Sequence, residues 1–347
     1  MSSPQASPQW KTWFYLFIGT TITVVLLSWA LRGVSLWEVG QQLRHTQWQW
    51  LVVGWLAYIA TYVLRACRWG TLLKTVGNTG RWRSRFDATL IGFGASSLLP
   101  AHAGELIRPI ILNRLDQVSV EVSLGTILVE RLLDVGVVFI LLLVPLWFVL
   151  PDHPALADLG LTTIGGIIIL VWLMLLIGAQ RPKAIAHSLG VLTTWGGLGR
   201  FQARLTDWSC KFLSGLGALR SPRQSLIALA QTVVIWLLNG VTYWAGLAAF
   251  GIIAPGFLGA LFVQSSTALA IALPSTPGYI GPFEAGIRGS LDIFGIPGEL
   301  SIACAVALRL IMYGTIPVLA GLLALRLGLS WADVKTQPLA PLQSKSP

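Results

Sequence analysis

Arg85–Gly136 reads RFDATLIGFGASSLLPAHAGELIRPIILNRLDQVSVEVSLGTILVERLLDVG. An apolar helix rich in small residues runs into Pro100 and ends there. Proline lacks a backbone donor and disfavours helix in the residue before it. The polar turn Ala101-His102-Ala103-Gly104-Glu105 follows, then a short apolar run that carries Arg108 and is interrupted at Pro109. A long apolar helix comes next, with Glu130, Arg131 and Asp134 inside it. Each charge at membrane depth costs about 2.5–3.5 kcal/mol on insertion scales. Such a cluster beside a broken helix therefore marks a functional site. The run from Phe86 to Leu99 is too short to cross a bilayer comfortably. Non-helical backbone at membrane depth is tolerated only where protein or a wet cavity surrounds it. Residues 86–114 are thus expected to form a re-entrant hairpin, packed through Gly92, Gly94, Ala95, Ser96 and Ser97.

Composition sets the class around that stretch. The 347 residues are 54% hydrophobic and only 11% charged, against roughly 25% charged in soluble domains. The expected fold is an all-α integral membrane protein. At about 20 apolar residues per span, it is a polytopic helical bundle of about six full spans plus two proline-broken re-entrant hairpins. One transmembrane domain covers 10–335, between disordered tails at 1–9 and 336–347. The net charge of +10 reads as Lys and Arg collected in cytoplasmic loops, not as a nucleic-acid surface. Cys67, Cys210 and Cys304 have neither metal nor redox spacing.

Spans are expected at 13–31, 50–67, 122–150, 161–179, 225–250 and 301–327. Residues 32–48, with Trp37 and Trp48, read as a short interfacial helix. Arg65, Arg68, Lys74, Arg81, Arg83 and Arg85 read as a basic cytoplasmic loop. The loop 151–159 has acids but no Lys or Arg and suits the outer face, whereas 181–223 is basic and suits the inner one. Phe201, Leu205, Trp208, Phe212 and Leu216 recur at helical spacing there. That pattern fits a basic amphipathic helix on an anionic leaflet and equally a helix packed under the bundle.

The second half echoes the first. SLGTILVERLLDVG (123–136) aligns with SIACAVALRLIMYG (301–314), matching Ser123 with Ser301, Arg131 with Arg309 and Gly136 with Gly314. Upstream, Pro100, Gly104, Glu105 and Arg108 correspond to Pro274, Gly278, Glu284 and Arg288, with Pro277 as a further break. Repeat 1 covers about 85–150 and repeat 2 about 257–327. Counting crossings from a cytoplasmic N-terminus, the first hairpin enters from inside and the second from outside. Both termini are then cytoplasmic, and the tips of an inverted repeat meet near the midplane.

Four stretches carry a family resemblance: RACRWGTLLKTVG (65–77), GFGASSLLPAHAGELIRPIIL (92–112), VERLLDVG (129–136) and PSTPGYIGPFEAGI (274–287). The chain resembles the lysylphosphatidylglycerol synthase transmembrane-region family, a group of flippase-like integral membrane domains, over roughly residues 10–330. The resemblance implies movement of a lipid across the plasma (inner) membrane. In multiple peptide resistance factors that lipid is an aminoacylated phosphatidylglycerol, and a soluble aminoacyltransferase domain follows. These residues contain no such segment, so aminoacyl transfer is not expected of them. Stand-alone members are linked to hopanoids or other lipids, which leaves the substrate open.

Site expectations follow from chemistry. Arginine binds phosphate bidentately and stays charged when buried, so Arg108, Arg131, Arg288 and Arg309 are the candidate headgroup contacts. Glu105, Glu130, Asp134 and Glu284 are the candidates to hold those arginines, to meet a cationic headgroup or to carry protons. The plainer alternative is that Glu105–Arg108 and Arg131–Asp134, each spaced i,i+3, only stabilise packing. His102 reads more readily as a satisfied turn residue than as a proton switch. Pro100, Gly104, Pro274, Pro277 and Gly278 are read as backbone breakers. No metal, nucleotide or nucleophile motif is found, so no cofactor is expected. The expected partners are membrane lipids and, in the scaffold reading, a lipid-modifying enzyme. A membrane-embedded transferase is the other alternative.

Overall fold

The computed structural model describes residues 9–99, 104–149, 202–273 and 276–329, with isolated positions at 166, 170 and 180. The tails, Pro100, His102, Pro274, the loop 151–159, most of the expected span 161–179 and the first part of the basic loop lie outside the described residues. The regular structure within them is helical.

The first half contains α1 (Gln9–Ala30), α2 (Leu36–Arg44), α3 (Trp48–Leu73), α4 (Trp82–Leu98), α5 (Gly104–Asp116) and α6 (Val120–Val149). After the undescribed segment come α7 (Gln202–Ser214), α8 (Pro222–Ala249), α9 (Gly256–Ile271), α10 (Pro282–Asp292), α11 (Gly298–Arg309) and α12 (Thr315–Arg326). The helices α3, α8 and the continuous run 298–326 are long and apolar enough to cross a membrane. At 30 residues, α6 is also long enough, with a rise of about 1.5 Å per residue.

Local chemistry sets the ends. Ser35 caps α2 by accepting from the Glu38 N–H at 3.4 Å. Leu36, Trp37 and Trp48 around it are solvent-exposed, which suits headgroup depth. Ser221 caps α8, whose first residue is a proline, where the missing N–H costs nothing.

Two expectations are corrected. The second span continues past Cys67 to Leu73, so Arg65 and Arg68 are not loop residues. Both lie inside α3 and are buried; acids on α6 pair with Arg68, while Arg65 lies against the Tyr62 and Phe93 rings. Pro109 does not interrupt α5. It sits within the second turn, where it removes one bond, to the Glu105 carbonyl, while the remaining bonds carry the helix on. In the last span the irregularity is a π-helical turn at Leu310–Gly314. That turn immediately precedes Pro317, whose ring and missing N–H disturb the preceding turn.

The pair α3–α8 forms the central packing, flanked by α4–α5 and by α9–α10. The main core cluster includes Tyr62, Leu90, Tyr243, Phe283, Ile287 and Leu308. Of the two readings of residues 201–216, packing holds. The backbone at Phe212 of α7 and at Gly215 just beyond it sits directly on Gly125 of α6, with Trp208 and Phe212 stacked at 5.2 Å. Each half has one order of elements: a helix, a break, a short helix, then a long helix. In the first half these are α4, α5 and α6; in the second they are α9, α10 and α11–α12.

Candidate functional site

The site is built on α5 lying against α4. A Cβ on Gly92 would overlap the Arg108 side chain, and one on Gly104 would overlap the Gly92 carbonyl and the Ser96 amide. The two glycines let the backbones approach and seat the Arg108 stem between them.

Arg108 is 1% exposed. It does not pair with Glu105 one turn away but reaches α6, where Nη1 donates to Glu130 Oε2 at 2.8 Å. Arg68, fully buried, forks onto Asp134, with Nη1 to Oδ1 at 2.6 Å and Nη2 to Oδ2 at 3.2 Å. Its Nη1 also donates to the Thr232 hydroxyl at 2.8 Å. The Trp236 indole donates to Asp134 Oδ1 at 3.0 Å. Arg131 lies 3.4 Å from Glu105 Oε1 and 3.7 Å from Asp134 Oδ2. Four helices thus meet in one ionic cluster: α3, α5, α6 and α8. Glu105, Arg108, Glu130, Arg131 and Asp134 are all brought together in it.

The cluster is not closed. Arg108 Nε and Nη2, Arg131 Nε and Nη2, and Arg68 Nε are buried without a hydrogen-bond partner, as are Ser96 Oγ and one acceptor, Glu130 Oε1. Buried polar atoms are nearly always satisfied, and leaving one unmade costs about 1–3 kcal/mol, more for a charged group. Several unmet guanidinium donors in one place form a cradle for acceptor oxygens.

The second half builds a smaller version. Arg309 Nε donates to Glu284 Oε1 at 2.6 Å, and its Nη1 donates to the Gly278 carbonyl at 2.6 Å. Glu284 Oε2 accepts from the Gly281 N–H at 2.8 Å, which caps α10. Gly281 has φ 93 and packs on the Thr23 carbonyl of α1, so only glycine fits that corner. Here the donors are used internally to brace the turn that Pro277 and Gly278 open. Arg288 is placed elsewhere. It pairs with Asp292 at 2.7 Å and donates to the Ala30 carbonyl at the end of α1 at 3.1 Å. Leu308 stands where the first half has Glu130, so Arg288 has no acid at the equivalent position of the long helix.

Tyr279 joins the halves, its hydroxyl donating to the Ser96 carbonyl at 3.3 Å. It does so with φ 55, a left-handed backbone that a bulky side chain seldom adopts. On the opposite face of α4 an apolar cavity of about 180 Å³ lies against α5 and α12, between Ile91, Ala95, Ile107, Pro317, Ala320 and Gly321. Among the described residues no group of three His, Cys, Asp or Glu is placed to hold a metal ion.

This arrangement can be set beside known proteins. The model of the family described as the lysylphosphatidylglycerol synthase TM region matches residues 16–321. The chain belongs to this family. A UPF0104 membrane protein of Methanothermobacter thermautotrophicus is 22% identical over 321 residues, 90% of this chain and 92% of that one. One of Pyrococcus horikoshii is 22% identical over 336 residues, covering 91% of this chain and 97% of that protein. One of Methanocaldococcus jannaschii is 20% identical over 320 residues, 88% and 92% of the two chains. No solved structure matches.

Within this family member, sequence reasoning missed Arg65, Arg68 and Trp236. A signal for the first two was present: RACRWG continues the apolar pattern of α3 without a turn residue, with arginines three apart on one helix face.

Proposed function

We propose that the protein moves a phosphate-bearing lipid across the bilayer, its headgroup passing between the two broken helix pairs. The observation that carries this reading is the set of unpartnered guanidinium donors on Arg108 and Arg131, buried where α4 breaks before α5. A lipid phosphate supplies acceptor oxygens of the matching charge and geometry. The apolar cavity behind Arg108 gives the hydrocarbon chains a place beside the polar path. The family takes its description from a synthase of an amino-acid-bearing phospholipid, which supports a lipid as the handled molecule. In this reading the helix pairs are re-entrant hairpins of an inverted repeat in the plasma membrane, with cytoplasmic termini.

Purified protein in liposomes of mixed lipids, each species labelled in turn on its headgroup, tests the reading. Movement of a phospholipid without chemical change is expected. A new lipid product would point to an enzyme instead, and neither movement nor product to a scaffold for a lipid-modifying partner.

A further inference from the structure

Three guanidiniums surround one phenyl ring. The Phe93 centroid lies 5.0 Å from Arg65, 5.3 Å from Arg108 and 5.7 Å from Arg131. Like charges gather this way only if something offsets them. The ring face offsets part, and the carboxylates offset more. Within the cluster Arg68, Arg108 and Arg131 have Asp134, Glu130 and Glu105 as partners. Arg65 is left over: it is buried, and among the described residues no carboxylate pairs with it. Four guanidiniums against three carboxylates leave one positive charge in the protein interior. Burying an uncompensated charge is expensive, and arginine does not escape by losing its proton.

We infer that Arg65, Arg108 and Arg131 form a seat for one oxyanion carrying a single negative charge, the phosphodiester of a membrane lipid or a free phosphate. The unmet donors on Arg108 and Arg131 supply directed hydrogen bonds, and Arg65 supplies the balancing charge. Access is from the Arg131 side, whose side chain is 33% exposed. The seat therefore selects on net headgroup charge. A phosphatidylglycerol headgroup neutralises the cluster, whereas phosphatidylcholine brings a second cation to a site already carrying one too many. The lipid-moving reading is used here only for the source of the anion.

The test is binding by the full-length protein in neutral detergent, read as thermal stability at constant ionic strength. Three probes are compared: dihexanoyl phosphatidylglycerol, dihexanoyl phosphatidylcholine and inorganic phosphate. Phosphatidylglycerol should stabilise at least about tenfold lower concentration than phosphatidylcholine, the scale of one charge-assisted hydrogen bond. Phosphate acting as well as phosphatidylglycerol would support the seat and make the free anion its ligand. Equal action of the two lipids, or no stabilisation by any probe, would overturn it. Arg65→Gln adds a sharper reading. The apo variant should melt at or above the wild-type temperature, because a surplus charge has gone, while the phosphatidylglycerol shift is lost. A lowered apo melting temperature with the shift retained would mean a structural arginine. The comparison of lipids on the wild-type protein decides the matter even if the variant does not fold. Binding of phosphatidylglycerol with no movement in liposomes would leave the seat standing and remove the transport reading.

Discussion

Arg309 Nε meets Glu284 Oε1 at 2.6 Å, and Arg131 Nε faces Glu105 Oε1 at 3.4 Å. In each half an arginine on the long helix reaches a glutamate on the short one through the same pair of atoms. Arg309 also ties down the turn before α10. Arg131 keeps donors free. The two halves share one bridge, and only the first adds Arg65, Arg68, Glu130 and Asp134 around it.

The second-half bridge is expected to be structural. Glu284→Gln removes the charge that Arg309 faces and weakens the α10 cap. Breaking one side of a buried pair costs about 3–5 kcal/mol. The variant should lose most of its folded fraction after mild heating, measured by fluorescence-detected size exclusion. Replacing both partners with apolar residues should recover part of that loss. Wild-type thermal behaviour of Glu284→Gln would contradict the brace.

Close approach of α4 and α5 depends on two missing side chains. Gly92→Ala and Gly104→Ala should each destabilise by about 1–3 kcal/mol, the usual cost of overpacking. Gly321→Ala, which meets nothing within 4 Å, should be neutral in the same melting assay.

That open space at Gly321 also tests the cavity. Gly321→Phe extends toward it from α12, where an added Cβ meets nothing within 4 Å. Stability should stay within about 1 kcal/mol while lipid movement slows. Unchanged movement would detach the cavity from the transport path.

Acid should act at Asp116, which lies at the end of α5 beyond its apolar run. Burial pushes its carboxyl up. The hydrogen bonds from the Arg81 amide, the Ser84 hydroxyl and the Arg81 guanidinium, with that guanidinium's charge, outweigh burial and hold it below the usual carboxylate range. The folded group therefore binds its proton less readily than the unfolded one. Its contribution to stability is fully present above the unfolded value, about pH 4, and fades as pH falls through the folded value. The stability gap between wild type and Asp116→Asn should be constant above about pH 5 and close below about pH 4. A gap that does not change with pH would show that the carboxylate charge is not involved.

Much of this was legible before any coordinates. Pro100 and the small residues after Gly92 announced the break, and the charges at 130, 131 and 134 announced the cluster, because both features are local in sequence. Partner choice was not legible. Arg108 bonds Glu130 and not Glu105, and Arg68 bonds Asp134 across 66 positions. Those choices are made by which helix faces meet. Arg65 and Arg68 were read as loop because an apolar helix that takes up charge usually ends there. Here it continued, since acids on α6 made burial of Arg68 tolerable and aromatic rings flank Arg65. Arg288 looked equivalent to Arg108 by order alone. The absence of an acid at position 308 is what separated them, and that became meaningful only once α6 was known to supply the Arg108 partner.

In the proposed function the unmet donors of Arg108 and Arg131 carry a lipid phosphate across the bilayer. The most direct measurement is the initial rate of headgroup-labelled phosphatidylglycerol movement in liposomes holding equal amounts of wild type, Arg131→Gln or Arg108→Gln, each inserted and monodisperse. We predict a fall of about tenfold or more for each variant, the scale of one charge-assisted hydrogen bond lost. Wild-type rates in both variants, at equal insertion, would contradict the account.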